Sequence, residues 1–211
     1  RKNIINFCNK PLLYWTINRS INSKLISSTW VTSDNNEILK YAKKFGANAI
    51  KRPARISKTN SKSEDAILHA ISHIEKNENF EHIIFPQVTS PIRHKNDFDK
   101  AIRLYLKNNY DSLFSAELIK DYFIWEKLKD NNFKPINYSI KKRSMRQSIK
   151  NKYHENGSFY IFKKNKFLRS KVRLFGKIGV YKMDKFKSIQ IDENPDIKIA
   201  KILMKNFILN D

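Results

Sequence analysis

Apolar and polar positions in this chain switch between helical and strand-like spacing, and the switches mark out its elements. Leu12, Leu13, Trp15, Ile17 and Ile21 recur at helical spacing behind Pro11, which suits a first turn, and predict a helix over 11–25. A short strand is expected at 26–31. Asp34-Asn35-Asn36-Glu37 then resembles a capping box opening a helix that runs to Phe45 and stops at Gly46. A strand at 47–51 and a polar loop over 52–60 precede a helix opened by Ser61-Lys62-Ser63-Glu64 and continuing through Ile74. Ile83, Ile84 and Phe85 stand in a row within 82–86, the pattern of a strand buried on both faces. Asn96-Asp97-Phe98-Asp99 caps a helix to about Asn108, and a strand is expected at 112–119. Helices alternating with short apolar strands predict an α/β fold with a mostly parallel sheet, whose ligands sit at the carboxyl ends of the strands.

From about Lys120 the alternation breaks. A stretch rich in Lys, Asn and aromatic residues follows, with strands expected at 123–128, 157–162 and 179–183, and residues 120–187 read as an insertion or small subdomain within a single domain spanning 1–211. An apolar strand at 188–191 then leads to a last helix, with Asn194 as its expected cap, Pro195 in its first turn, and Ile197, Ile199, Ala200, Ile202, Leu203 and Phe207 as its buried stripe.

Composition narrows the class. With 211 residues and 40% hydrophobic positions the chain can bury a core. No apolar run approaches the roughly 18 residues of a membrane span, and the single cysteine, Cys8, fits a reducing cytoplasm and excludes a disulfide framework or a zinc site built from cysteines. The formal charge of +22 points toward nucleic acid. Yet 32 of the 42 basic residues are Lys, spread along the whole chain, and they rise together with 23 Asn and 28 Ile, as an AT-rich coding bias would produce. Nucleic acid is therefore not the expected partner.

Three strings carry candidate chemistry. Gln87-Val88-Thr89-Ser90-Pro91-Ile92-Arg93 follows the most apolar strand, where its polar groups suit a polyhydroxylated or anionic ligand; a Ser-Pro turn with a solvated Arg is the plain alternative. Asp192, at another expected strand end, can hold Mg²⁺ against phosphate oxygens, or merely help start the next helix. Arg143, Arg146 and Gln147, with Glu155-Asn156-Gly157, offer guanidinium forks for carboxylate or phosphate and amides for sugar hydroxyls; a basic solvated loop competes with that reading. His69 and His73 stand four apart on a helix without the Glu of a zinc-protease motif, so packing is the better account.

Taken in order, the strings resemble the acylneuraminate cytidylyltransferases, which activate sialic-acid-like sugars. Lys2-Asn3 with Asn9-Lys10-Pro11-Leu12 is similar to the family's "KN...GKPL", and Val31-Thr32-Ser33-Asp34 to its "VSTD". Arg52-Pro53-Ala54 with residues 61–70 is similar to "RPA...S.D..LHAL", and residues 87–93 to "QPTSPLR". Arg146-Gln147 and residues 155–160 resemble "RRQ...ENG.IY", and Ile191-Asp192 with Pro195-Asp196-Ile197 resembles "DIDT.EDL". The resemblance implies a Rossmann-like sheet, a Mg²⁺- or Mn²⁺-dependent reaction of CTP with a nine-carbon α-keto acid sugar, release of pyrophosphate, and a homodimer formed through the inserted region. It implies catalytic roles for Lys2 and Arg146, nucleotide contacts for Lys2, Asn3 and Ser63, sugar contacts for Gln87, Thr89, Ser90, Arg146, Gln147 and Asn156, and metal binding by Asp192.

The chain departs from that pattern in three places. The family's opening strand and glycine-rich "PARGGSK" loop, about fifteen residues whose amides cradle a triphosphate, have no counterpart ahead of Arg1, so the chain reads as amino-terminally truncated, with weak activity expected of it. Gln190 replaces the first Asp of "DID". Met145 and Ser148 replace the first Arg of "RRQ" and the Asp that follows it. A non-catalytic relative, and a basic nucleic-acid-binding α/β module, are the alternative functions.

Overall fold

Short polar signals set the first elements. The computed structural model describes every residue except 1, 120–122, 143–144, 146–151 and 210–211. After a 3-10 turn at Lys2–Ile4, strands β1 (Asn6–Phe7) and β2 (Lys10–Pro11) form a small hairpin. Its two turn residues, Cys8 and Asn9, both have positive φ (51° and 63°), the geometry of a tight primed turn. Cys8 packs against the Phe7–Trp15 cluster, where burial pushes its thiol pKa up.

Helix α1 (Leu12–Ile21) ends four residues before the predicted 25. The cause is Asp99, whose carboxylate accepts from Ser23 Oγ and from the backbone N–H groups of Lys24 and Leu25, which turns the chain out of the helix. Strand β3 (Trp30–Ser33) consequently starts later than the expected 26–31. Helix α2 (Asn36–Lys44) is capped as expected: Asn35 Oδ1 accepts from Glu37 N and Ile38 N, and Gly46, at φ +88°, follows the helix end. Strand β4 (Asn48–Lys51), helix α3 (Ser63–Ile74), strand β5 (His82–Pro86), helix α4 (Asp97–Lys107) and strand β6 (Ser112–Leu118) follow within a residue or two of their predicted bounds.

The second half is arranged differently from the reading. Strands β7 (Trp125–Lys127) and β8 (Phe133–Pro135) make a separate hairpin, while β9 (Tyr153–Lys163) and β10 (Ile178–Met183) join the main sheet. Of the expected insertion over 120–187, then, residues 153–183 lie in the body of the fold. Helix α5 (Lys164–Ser170) forms where a Lys cluster masked the buried Phe167. The strand expected at 188–191 is absent; a 3-10 turn (Lys185–Ser188) leads into extended chain, with Ile191 N–H donating to Thr89 O at 2.8 Å. Helix α6 (Asn194–Phe207) is capped by Glu193 rather than Asn194, in a capping box with Asp196, and Pro195 falls in its first turn.

The main sheet has the order β10-β6-β9-β5 and is mixed: β10 and β6 are parallel, and β9 runs antiparallel to both β6 and β5. β3 and β4 form a separate parallel pair. The α/β fold is as expected, and β9 is the antiparallel member that makes the sheet mixed: it returns from the β7–β8 region and inserts between β5 and β6. Its alternation builds the layers. Phe159 and Ile161 pack on Phe98, Ala101 and Tyr105 of α4, whereas Tyr160 and Phe162 pack on Ile67 and Ile71 of α3 and Phe167 of α5. Side chains of this size each contribute about 1.5–3 kcal/mol on full burial, so β9 holds three layers together.

Candidate active site

The carboxyl ends of β3, β4 and β5 point to one place, and the 3-10 turn at Lys2–Ile4 and the first residue of α3 meet them there. Asn3, Ser33, Arg52, Ser63, Gln87 and Thr89 all line one cavity of about 640 Å³. Ser33, Arg52, Gln87 and Thr89 lie at or just beyond the carboxyl ends of β3, β4 and β5. Arg52 follows β4 directly; its Nε donates to Ser57 Oγ at 2.9 Å and its Nη2 lies 3.8 Å from Asp34 Oδ1, which aims the guanidinium across the strand ends.

The loop over 87–93 is held from below. Arg93, read from sequence as solvated or ligand-facing, is completely buried. Its Nε donates to Ser158 Oγ (2.8 Å), Nη1 to Thr16 Oγ1 (3.0 Å), and Nη2 to the carbonyls of Ser158 (2.6 Å) and Gln87 (2.8 Å). Burial pushes its pKa down to about 9, with Asp97 opposing that shift. Arg93 is therefore the anchor of the loop, tying Gln87 to β9 and α1. Ser90 is buried beneath the loop, and its Oγ has no hydrogen-bond partner among the described residues.

Asn156 is also buried, and its amide is fully used inside the protein. Oδ1 accepts from Ser115 Oγ (2.7 Å) and Ser158 N (3.1 Å), while Nδ2 reaches Ser188 Oγ (3.3 Å). Gly157 next to it has φ +64°, and a Cβ there would stand 2.7 Å from Gln190 Nε2. That amide donates to Asn156 O at 3.0 Å, a bond that a carboxylate at position 190 could not make.

Asp192 sits beyond this layer, exposed, with Lys2 Nζ 3.0 Å from its Oδ1. Its backbone N–H donates to Asp196 Oδ2 at 2.9 Å. No group of three or more His, Cys, Asp or Glu side chains suited to a metal occurs among the described residues. The fold thus brings Asn3, Ser63, Gln87 and Thr89 to one cavity and Lys2 to Asp192, and it places Asn156 and Ser90 in the packing underneath. Arg146 and Gln147 lie outside the described residues; Met145 is exposed. Arg52 was absent from the expected site residues; a charged residue directly after a strand end was the signal available for it.

A family model described as "Cytidylyltransferase" matches residues 1–206. The chain belongs to the cytidylyltransferase family. It is 32% identical over 203 residues to N-acylneuraminate cytidylyltransferase A of Danio rerio, covering 95% of this chain and 46% of that protein. It is 27% identical over 212 residues to the pseudaminic acid cytidylyltransferase of Campylobacter jejuni, covering 97% and 90%. The chain spans about half the length of the first curated relatives it matches. Among solved structures, 4-diphosphocytidyl-2C-methyl-D-erythritol synthase superposes with a TM-score of 0.71 at 9% identity, covering 96% of this chain and 94% of that one, a likeness of fold. No helix among the described residues is long and apolar enough to cross a membrane.

Proposed function

We propose that the chain transfers CMP from CTP to the anomeric hydroxyl of a nine-carbon α-keto acid sugar, releasing pyrophosphate, as a step toward a cell-surface glycan. The observation that carries this reading is the convergence of Asn3, Arg52, Ser63 and Gln87 on one cavity at the carboxyl ends of three strands, in a chain of the cytidylyltransferase family. Asn3, Ser63 and Arg52 would face the nucleotide, and Gln87 and Thr89 the sugar hydroxyls. Arg146 and Gln147 are assigned to the sugar's anionic end on the sequence resemblance. Ser90 and Asn156 hold the loop and strand that present these groups.

The donor set fits a magnesium ion in one way. Asp192 is a single exposed carboxylate, and Mg²⁺ commonly binds through one or two carboxylates, with water and substrate phosphates completing its shell. Asp192 would hold the ion, which would supply charge neutralisation at the phosphates. Lys2, beside it, places a cation where negative charge accumulates as pyrophosphate leaves, and the remaining residues fix the sugar hydroxyl near the α-phosphate. We infer a homodimer built through the region around β7 and β8, whose exposed Trp125, Phe133, Ile136 and Ile140 offer an apolar face, and a cytoplasmic setting consistent with one free thiol.

The test is to incubate the protein with each nucleoside triphosphate, Mg²⁺ or Mn²⁺, and either N-acetylneuraminic or pseudaminic acid, and to measure pyrophosphate and the nucleotide sugar. Product with CTP alone among the triphosphates supports the reading. Equal product with another triphosphate, or binding of CTP with no product from either sugar, would refute it.

A further inference from the structure

Helix α6 buries one apolar stripe and leaves a second one uncovered. Ala200, Met204 and Ile208 recur every four residues and are buried in the cluster of Phe7, Leu12 and Trp15. On the other side of the helix Ile199 and Ile202 are 50% and 60% exposed. At roughly 3.6 residues per turn, Ile199, Ile202 and Asn206 fall within about 60° of one another around the axis. Asn206 adds little polarity to this ridge, because its Nδ2 donates to Ile202 O at 2.9 Å and is spent on the helix itself. Phe207, 45% exposed, carries the apolar surface onto one flank, where it stacks on Phe186 with ring centroids 4.5 Å apart. A helix face that met only water would be polar at these positions, so the ridge calls for a partner.

The charges around the ridge say which kind. Lys198, Lys201 and Lys205 occupy a second arc of about 60° directly beside it. Lys198 and Lys205 are exposed and Lys201 is half-buried. The charges of Lys201 and Lys205 are felt at Cys8, where they oppose the rise that burial imposes on its thiol pKa, so this flank faces the β1–β2 hairpin. Exposed Lys10 stands on that hairpin, with its Nζ 5.4 Å from the ring of Tyr14, which packs against the same core as Met204. On the Phe207 flank, exposed Lys185 directly precedes Phe186, and the carboxylate beside it in sequence, Asp184, lies 3.2 Å from Lys187 Nζ. Residues 197–209 contain no Asp or Glu; Asp196 and Glu193 are held at the start of the helix in its capping box. Cations thus border the ridge on both flanks, and the acids of this segment are confined to one end.

We propose that α6 docks the protein on an anionic membrane surface, lying in the plane of the interface with Ile199, Ile202 and Phe207 entering the headgroup boundary and Lys198, Lys205 and Lys10 meeting lipid phosphates. Lysine suits such a border, since its methylene stem lies along apolar surface while its ammonium reaches outward. The ridge alone would fit a second copy of the chain equally well; the lysines decide between the two. An antiparallel pair of these helices would set lysine stripe beside lysine stripe with no carboxylate to answer them, whereas anionic headgroups neutralise them. The inference rests on this helix face and is independent of the proposed chemistry.

The test is cosedimentation of the protein with vesicles of phosphatidylcholine alone, or of phosphatidylcholine mixed two to one with phosphatidylglycerol. At least tenfold stronger partitioning onto the mixed vesicles is expected. A lysine near an anionic surface is worth roughly fivefold in binding, so Lys198→Gln with Lys205→Gln should lower partitioning at least tenfold, and Ile199→Gln with Ile202→Gln should do the same, both at unchanged Tm. Lys100→Gln with Lys107→Gln, exposed positions on α4, should change it less than twofold. No preference for the anionic vesicles would overturn the proposal. So would an equal loss in the α4 variant, which would mean diffuse attraction of a +22 chain, or an isoleucine variant that binds as the parent does. Self-association in the absence of lipid that the isoleucine variant abolishes would assign the ridge to a second copy and overturn it as well. Should the isoleucine pair lower Tm, the lysine pair, whose charged ends stand clear of the core, decides the question by the same criterion.

Discussion

Lys2 Nζ stands 3.0 Å from Asp192 Oδ1, joining a residue at the head of the chain to one just before its last helix. Both side chains are well exposed, and an ion pair of this kind contributes at most about 1 kcal/mol to stability. The pair therefore gives the fold little, while it sets a cation beside the carboxylate proposed to hold magnesium. Asp192→Asn and Lys2→Met are expected to lower CMP-sugar formation at least tenfold and to leave the denaturation midpoint nearly unchanged. Steady-state kinetics beside a urea titration checks both halves, and a parallel loss of stability would move the pair from chemistry to architecture.

Arg93 is predicted to behave in the opposite way. Its guanidinium satisfies two hydroxyls and two carbonyls in a dry environment, and removing one partner from buried polar groups costs about 1–3 kcal/mol each. Arg93→Met should destabilise the protein by about 3 kcal/mol or more, and Arg93→Lys should fail to rescue it, since an ammonium cannot reproduce the planar fork. Chemical denaturation measures both; a loss under about 1 kcal/mol for either variant would contradict the anchoring role.

Gln190 offers a sharper substitution. Gln190→Glu keeps the shape but sets an acceptor against the Asn156 carbonyl, so a loss of about 1–3 kcal/mol is expected. Thermal melting reads it. A neutral result would show that the amide bond over Gly157 is dispensable.

Asp111 predicts the acid limb of stability. Its carboxylate accepts from Lys166 Nζ (2.7 Å), Lys177 N (3.0 Å) and Lys163 Nζ (3.0 Å), which hold its pKa well below the usual carboxylate range. Because the folded value is the lower one, the stabilisation is complete above about pH 4, near the unfolded pKa, and is lost as pH falls through the folded value. Asp111→Asn should be less stable than the parent at pH 7 and should show a flatter fall below pH 4. Urea midpoints from pH 2 to 7 would show the two curves approaching one another in acid.

In the cavity lining, Arg52→Ala is expected to raise KM for CTP about tenfold, the equivalent of 1.4 kcal/mol, with little effect on the sugar. Gln87→Ala should do the reverse. Equal changes in both constants for either variant would assign that residue to holding the loop.

What was legible in the sequence was local. The Asn35 cap, the stop at Gly46 and the apolar row Ile83-Ile84-Phe85 each declare an element through neighbours a few residues away. Long-range partners were not legible. Nothing near Ser23 announces that Asp99 will end α1, and nothing near Gln87 announces that Arg93 turns inward to Ser158. The direction of β9 is not encoded in its apolar run over 159–162, since such a run reads the same way up or down. The site residues were found as strings at strand ends; their division into those that reach the cavity and those, such as Asn156, that brace it from below is a property of packing.

The position of β9 also orders the folding of the molecule in time. β5 and β6 are neighbours in sequence but have no ladder with each other; β9 lies between them and pairs with both, at register pairs such as Ile84 with Ile161 and Leu113 with Ile161. During synthesis from the amino end, β5 and β6 therefore emerge well before the strand that separates them. If they zip together early, that pairing must open again to admit β9, which makes the central ladder a late, high-contact-order event and leaves two apolar strand edges exposed to aggregation until residue 163 has left the ribosome.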